Sequence, residues 1–326
     1  MPVVVNSNAS ATSASFNLSR ANDSLRKSLE RLSSGKRINN SGDDAGGLAV
    51  AYKLNSKASR TTAILQNAQN GLSYLQVQDS GLQTAGKIVD RMAELRVMAQ
   101  DITKNSSDIE NYSKEFVELQ SQLNQISKEK FNGISLFTTS TATAVNGKLN
   151  KVASTDASAA EYDGKKYDTF SRTLITHDSG VSTSGSVNLN VVNFQFMLSI
   201  GSLAANGAAA GGYDLGNIDG ANNATGTTNG YINSITNVSV AQFTDIIERI
   251  ADMRAENGAE QNRVLQTIDL LQTNLTNIEA AHGRIMDTDV ALESTRFARH
   301  NILVQASAAM TAQANQLTNV ALQLIG

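Results

Sequence analysis

A glycine-rich acidic segment near the N-terminus is the first place where the residue types could do chemistry. Within residues 42–47, Asp43 and Asp44 lie between glycines. Paired carboxylates on a flexible backbone can wrap a metal ion, but the spacing here matches no calcium-binding loop. Aspartate also caps helix N-termini, because its side chain accepts hydrogen bonds from free backbone N–H groups. We therefore predict a structural turn followed by an aspartate-capped helix, and no metal site.

The histidines are the other side chains that could act as ligands or bases. His177, His282 and His300 are far apart, and none lies in the His-Glu-x-x-His pattern that supplies zinc ligands and a base. Asp287 and Asp289 fit the cap of a C-terminal helix, or an ion pair with Arg284, better than a metal site. The chain has no cysteine and lacks the sequence patterns of serine hydrolases and of nucleotide-binding loops. We predict that it is not an enzyme and binds no cofactor.

Composition excludes two further classes of partner. The net charge is -3, from 27 basic and 30 acidic residues, without a long run of one sign that would bind nucleic acid. No run approaches the roughly 18 apolar residues of a membrane span, so membrane insertion is not expected. The apolar residues 2–5 are followed at once by polar ones, which does not resemble a Sec signal segment.

Seven-residue spacing of leucines predicts long helices at both ends of the chain. Near the N-terminus, Leu18, Leu25 and Leu32 form such a stripe, and a turn is predicted between Gly35 and Gly47. At the C-terminus the corresponding stripe is Leu303, Met310, Leu317 and Leu324. The neighbouring positions are rich in alanine, which permits close packing between helices.

The inner segments predict further helices on either side of a different middle region. A second helical pattern starts near Leu48, and its apolar stripe continues from Ile64 to Ile102. Helical periodicity also extends from Ile109 to Ile126, with Asn132 and Gly133 as its end, and from Phe243 to Ile285.

Residues 135–238 are instead rich in glycine, serine, threonine and asparagine. There, apolar and polar residues alternate at 187–191 and, in the opposite phase, at 192–200, which predicts strands joined by a β-bulge. Residues 206–212 and 219–230 are predicted to be loops.

These patterns predict a mainly α fold. It is a long antiparallel helical, coiled-coil-like bundle that pairs the N- and C-terminal segments, with a small β-rich outer region from the middle of the chain. We expect a core domain from residues 1–44 with 288–326, an outer helical domain from 45–140 with 239–287, and a variable exposed region at 141–238.

Narrow apolar stripes also predict self-association. A helix with a two-residue stripe buries too little to offset about 1–2 kcal/mol of backbone entropy per ordered residue, and exposed apolar faces are unfavourable in a monomer. We expect the terminal segments to be largely disordered in the free chain and to fold as copies assemble. The predicted polymerisation interface consists of Leu18, Leu25, Leu32, Leu303, Met310, Leu317 and Leu324.

Five segments resemble bacterial flagellins, in the same order along the chain. They are ERLSSGKRINNSGDDAGGLAVA at residues 30–51, KFNGISLF at 130–137, ENGAEQNR at 256–263, GRIMDTDVALE at 283–293 and NILVQASAAMTAQANQ at 301–316. The resemblance implies a secreted subunit that self-assembles into the flagellar filament for swimming motility, with a tubular core of terminal helices and a helical outer layer carrying a β-hairpin.

It also implies export by the flagellar type III apparatus, through an export chaperone and the export gate, and contacts with the cap and the hook–filament junction proteins.

The same resemblance implies a receptor contact. Flagellins are sensed by a vertebrate Toll-like receptor through their outer helices, and Arg91, Glu94, Leu95 and Glu115 fall on matching positions. Ala93 stands where many recognised flagellins have arginine.

Two alternative functions stay open: a hook–filament junction protein, which resembles flagellins at both ends, and a secreted coiled-coil signalling ligand. Growth of long filaments would separate a flagellin from both.

Overall fold

The computed structural model describes residues 8–138, 149–153, 156, 161–162, 165–200, 213–215, 232 and 234–325; side chains are not described at 161–162, 165–166, 213–214 and 317–325. The helices are α1 (Ala9–Ser34), α2 (Ala45–Met98), α3 (Ser106–Ser127), α4 (Phe194–Met197), α5 (Val240–Met286) and α6 (Val290–Ile325).

The strands are β1 (Lys130–Phe131), β2 (Ile134–Ser135), β3 (Phe137–Thr138), β4 (Asn150–Val152), β5 (Glu161–Tyr162), β6 (Lys165–Lys166), β7 (Thr169–Ile175), β8 (Ser186–Asn193), β9 (Ser199–Ile200) and β10 (Tyr213–Asp214). The mainly helical fold with a small strand-containing middle region is confirmed. The chain forms two compact units, residues 1–59 with 274–326 (the terminal unit) and residues 60–273 (the inner unit). The predicted three-part division of domains stays a prediction.

In the terminal unit, α1 and α6 pack together along their lengths. Asn8 at the start of α1 donates from Nδ2 to the carbonyl oxygen of Ala314 at 2.8 Å, and the backbone N–H of Thr288, just before α6, donates to the carbonyl of Gly35 at 2.9 Å. The start of α1 therefore lies beside the C-terminal half of α6, and its end lies beside the start of α6. The pair is antiparallel, which confirms the predicted association of the two chain ends.

The predicted turn between α1 and α2 is confirmed, and one of its two aspartates caps α2. Asp44 Oδ1 accepts a hydrogen bond from the backbone N–H of Gly47 at 2.8 Å, in the first turn of α2. Asp43 forms a 2.5 Å ion pair with Lys27, and this hydrogen-bonded ammonium holds the pKa of Asp43 below its ordinary value. In the same way, Asp289 caps α6 by accepting from the N–H of Leu292 at 3.1 Å.

The inner unit holds the main hydrophobic core. Buried apolar side chains of α2, α3 and α5 meet there, and Phe116 of α3 contacts Phe243 of α5 edge to face, with ring centroids 6.3 Å apart. Both phenylalanines are fully buried. This core includes Leu75, Leu82, Met92, Leu95, Leu123, Ile246 and Val264.

A four-stranded sheet in the order β3-β8-β7-β4 packs with this core. The antiparallel ladder pairs Val191 of β8 with Phe170 of β7, while the next residue, Val192, pairs in parallel with Phe137 of β3. The apolar-polar alternation changes phase between Val191 and Val192. At this point β8 changes its pairing from β7 to β3, and this replaces the predicted β-bulge. The predicted loops at 206–212 and 219–230 lie outside the described residues.

The predicted continuation of a strand from residue 192 to 200 is wrong. The short helix α4 interrupts it, and the side chain of Asn193 caps this helix by accepting from the N–H of Phe196 at 3.2 Å. Phe194, Phe196 and Met197 are all buried. Because this segment is surrounded by core on several sides, its apolar residues do not need to share one face of a strand.

A second correction concerns Asn132 and Gly133. α3 already ends at Ser127, and Asn132 and Gly133 form the turn between the paired strands β1 and β2, with φ of 49° and 78°. An Asn-Gly pair suits a two-residue hairpin turn because both positions need positive φ. The pattern that indicated a helix end was a hairpin signal.

Two glycine substitutions should change stability in opposite directions. Gly133→Ala places a side chain at φ +78°, so we expect a loss of about 1 kcal/mol although no atom lies within 4 Å of the new Cβ. Gly258→Ala lies within α5, also in open space, and should stabilise the protein by about 0.5–1 kcal/mol. Urea unfolding of the two variants measures both changes. Equal effects of the same sign would contradict this account.

Glu260 gives the inner unit a pH dependence. Its carboxylate on α5 accepts the backbone N–H of Asn190 on β8 at 2.8 and 3.0 Å, and burial raises its pKa to about 7 from an ordinary value of 4.5, although the hydrogen bond from Asn190 and the charge of Arg263 oppose the shift. Because the folded-state pKa is raised, the contribution of Glu260 to stability is greatest below pH 4.5 and falls as pH rises towards 7.

We therefore expect Glu260→Gln to stabilise the protein at pH 8 by about 1–2 kcal/mol, after allowance for the solvent that reaches this half-buried group, and to have little effect at pH 4. Glutamine keeps the acceptor oxygen while removing the charge. Thermal unfolding at both pH values measures the difference. Glu118→Gln, at an exposed position of α3, is the control and should show no such pH-dependent gain.

Candidate functional site

An exposed apolar stripe runs along the outer face of α6. Leu303 is 46% exposed and Met310 is 65% exposed, with Ile302 beside them. The inner face of α6, towards α1, uses a different set of positions that are buried or half-buried: Glu293, Phe297, His300, Val304, Ser307, Thr311 and Ala314. Leu317 and Leu324 continue the outer spacing within α6, but their side chains lie outside the described set.

The leucine stripe of α1 has the opposite placement. Leu18, Leu25 and Leu32 are half-buried on the face that α1 turns to α6, while Phe16 and Leu29 are exposed, the former by 60%. The sequence pattern missed Phe16 and Leu29 because they fall outside the seven-residue stripe. Their size among small polar neighbours was the available signal. The seven predicted interface residues therefore do not form one surface within the monomer.

The terminal unit buries very little apolar surface. Among its described residues, the buried apolar side chains are only Ile38, Ala51, Met286 and Ala314. In contrast, it exposes many large apolar side chains: Phe16, Leu29, Val50, Tyr52, Val290, Leu292, Ile302, Leu303 and Met310. The free energy gained by burying so little apolar surface cannot offset the conformational entropy lost in ordering two long helices, unless further surface is covered.

The charged groups of α6 also lie partly within the helix pair. Glu293 is buried in the first turn of α6, where the helix dipole favours a negative charge, and its Oε2 lies 3.3 Å from Nη1 of Arg296. Its Oε1 has no hydrogen-bond partner.

The histidines show no common site. His177 Nδ1 lies 2.9 Å from Ser179 Oγ and 3.2 Å from Asp178, within a surface turn of the inner unit, while His282 and His300 are half-buried in the terminal unit. The described part of the chain contains no group of three or more side chains that could hold a metal ion. No helix in that part is long and apolar enough to cross a membrane.

The four positions matched to a receptor contact are close together but differ in their exposure to solvent. Arg91 of α2 pairs with Glu115 of α3 at 2.8 Å and with Glu94 at 3.1 Å, and the hydrogen bonds to these carboxylates raise the pKa of Arg91. Leu95 has no exposed surface and belongs to the core. A direct contact by Leu95 is therefore corrected: it supports the helix that presents the three charged residues.

Comparison with known proteins adds a family to this geometry. Residues 5–142 match the bacterial flagellin N-terminal helical region, and residues 240–325 match the bacterial flagellin C-terminal helical region. Flagellin FlaB2 of Treponema pallidum is 32% identical over 324 residues, which cover 99% of this chain and 100% of that protein. This chain belongs to the bacterial flagellin family. The predicted family resemblance is confirmed.

Further relatives of this flagellin agree in length as well as in sequence. A flagellin of Bacillus subtilis is 32% identical over 332 residues, covering 98% of this chain and 99% of that protein. The flagellar filament 33 kDa core protein of Treponema phagedenis is 31% identical over 327 residues, covering 99% and 100%. The two family matches include both α1 and α6, the helices of the terminal pair.

Proposed function

We propose that this flagellin is a structural subunit that polymerises through its terminal helices into the filament of a bacterial flagellum and so serves swimming motility. The outward stripe of α6 at Leu303 and Met310 supports the proposal most strongly. It is apolar, it runs along a helix that belongs to the flagellin C-terminal region, and α1 leaves it uncovered. Leu18, Leu25 and Leu32 contribute indirectly, by holding α1 against α6.

Polymerisation explains why so small a core is sufficient. Each added subunit would cover the exposed faces of its neighbours, and burial supplies roughly 25 cal/mol per Å² of apolar area. Folding of the terminal helices is then coupled to assembly, because only the assembled state buries both of their faces. Circular dichroism of the free chain should show less helix than the assembled chain, and full helicity of the monomer would contradict this coupling.

The predicted domains and partners belong to the same proposal. Residues 1–44 with 288–326 would form the inner tube, residues 45–140 with 239–287 the outer tube, and residues 141–238 the exposed surface. Export by the flagellar type III apparatus, with its chaperone and gate, would place the filament outside the cell, in contact with the cap and junction proteins. The absence of cysteine suits passage as an unfolded chain. Arg91, Glu94 and Glu115 are the residues proposed for receptor contact.

Electron microscopy of purified chain seeded with short filament fragments tests the proposal. We expect long filaments from the full-length chain and none from a variant that ends before Leu303. Soluble full-length monomer under seeding would contradict a filament subunit and favour a hook–filament junction protein or a secreted signalling ligand. A truncated variant that still formed filaments would contradict the role of α6.

A further inference from the structure

We propose that, in the filament assembly proposed above, the loop between α2 and α3 of one subunit inserts Ile102 into a cleft of the terminal unit of a neighbouring copy. The contact joins two unlike surfaces of the same chain. Repetition of such a contact gives an open polymer instead of a closed pair.

The loop presents its isoleucine in a fixed conformation. Ile102 is 99% exposed, more than any other large apolar residue in the described part of the chain. Asp101 Oδ1 accepts from the N–H of Thr103 at 2.9 Å, and the N–H of Lys104 donates to the Asp101 carbonyl at 3.1 Å. Asn105 then begins α3 with a capping box. These local hydrogen bonds restrain the backbone on either side of Ile102, which reduces the entropy lost on binding.

The loop also carries a negative charge next to the isoleucine. Hydrogen bonds from Thr103 lower the pKa of Asp101, so its carboxylate remains ionised at neutral pH. The tip is therefore an apolar side chain with an adjacent anion. A matching surface must offer apolar contact together with a cation or hydrogen-bond donors.

A cleft of about 530 Å³ in the terminal unit has these properties. The buried apolar side chains of Ile38, Ala51 and Met286 line it, and these form the small apolar cluster of that unit. Its polar lining includes Lys36, Asn39 and Asn55, and it contains no carboxylate. Asn39 Nδ2 is buried without an acceptor among the described residues.

The shapes favour a loop tip as the occupant. A helix with its side chains is about 10–12 Å across, which is wide for a cleft of this volume, whereas one isoleucine side chain and its neighbouring carboxylate fit. With Ile102 among the apolar residues, Asp101 would lie near Lys36. The cleft and the tip are complementary in both polarity and charge.

Cross-linking between two single-cysteine variants tests the contact, since the natural chain has no cysteine. Ile102→Cys and Asn55→Cys chains are mixed, assembled with an excess of unmodified chain, and treated with a short bifunctional maleimide. We expect cross-linked dimers from filaments of the mixture. Val181→Cys, an exposed position of the inner unit, replaces Ile102→Cys in the control and should give none.

Filaments that form normally but give no 102–55 dimer, or give as much from the Val181 control, would overturn the contact and leave the filament function intact. Failure of the unmodified chain to form filaments would instead contradict the proposed function.

Assembly thermodynamics provide a second measurement. Ile102→Ser should raise the critical concentration about tenfold, because the insertion of an apolar side chain is lost. Lys36→Glu and Asp101→Lys should each raise it about fivefold, and the double variant should return close to the natural value because attraction is restored with the signs exchanged. If the critical concentration of the double variant is raised as much as the two single effects combined, the proposed charge pairing between Lys36 and Asp101 is overturned.

Discussion

Glutamine in place of both Leu303 and Met310 will prevent filament growth at concentrations where the natural chain assembles. The two side chains are 46% and 65% exposed on the outer face of α6, so their replacement removes apolar area that only a neighbouring copy can cover. Each lost contact is worth about 1.5–3 kcal/mol on full burial. About half of the Leu303 side chain and a third of the Met310 side chain are already covered in the monomer, so the two losses together raise the critical concentration by at least about tenfold. Seeded growth followed by light scattering measures the effect.

The substitution leaves the subunit itself nearly unchanged. Glutamine has almost the helix propensity of leucine and methionine, and neither position belongs to the face that packs on α1. The urea midpoint of the inner unit should therefore equal that of the natural chain. Val181→Gln, which removes an exposed apolar residue from the strand-containing region, is the matched control. Normal filaments from the Leu303 and Met310 variant would show that this stripe is not an assembly surface.

Phe116→Ala will lower the free energy of unfolding of the inner unit by about 3–5 kcal/mol. The ring is fully buried, and its edge-to-face contact with Phe243 at 6.3 Å links α3 to α5. Truncation leaves a cavity that the surrounding helices cannot fill without moving. Urea unfolding followed by circular dichroism at 222 nm, the usual helix signal, measures the loss, and near-ultraviolet signals report the packing of the remaining aromatic residues.

Ile102→Ala is the matched control for this loss. It also removes a large apolar side chain, but one that is 99% exposed, so the monomer should change by less than about 0.5 kcal/mol. The two variants therefore separate burial from side-chain size. Equal costs would contradict the assignment of Phe116 to the core.

Much of the fold was predictable because helices and caps are local. Seven-residue spacing indicated α1 and α6, and the segment that contains Asp43 and Asp44 indicated a turn before a capped helix. These features depend on residues within one or two turns of each other. The pairing of the chain ends followed from the same reasoning, because a helix with one narrow apolar stripe needs a partner, although α6 meets α1 through a different face from its predicted stripe.

Two errors show where local patterns fail. Residues 192–200 alternate like a strand, yet the core surrounds Phe194 and Phe196 and permits a short helix. Asn132 and Gly133 have residue types that end helices and also form hairpin turns. The pairing of Phe131 with Ile134 decides between these roles, and it is a contact between strands.

The sequence by itself determined the helices, the turn that joins α1 to α2, the lack of an enzyme motif and the family, because each rests on residue types at fixed short spacings. Only the tertiary structure decided which faces are covered. Leu18 and Leu303 belong to equivalent stripes, yet the first packs inside the helix pair and the second lies outside, while Leu95 lies in the core beneath a charged surface. Periodicity places a residue on one side of its own helix, and the rotation of that helix against its neighbour, set by all of their contacts together, decides whether that side meets solvent.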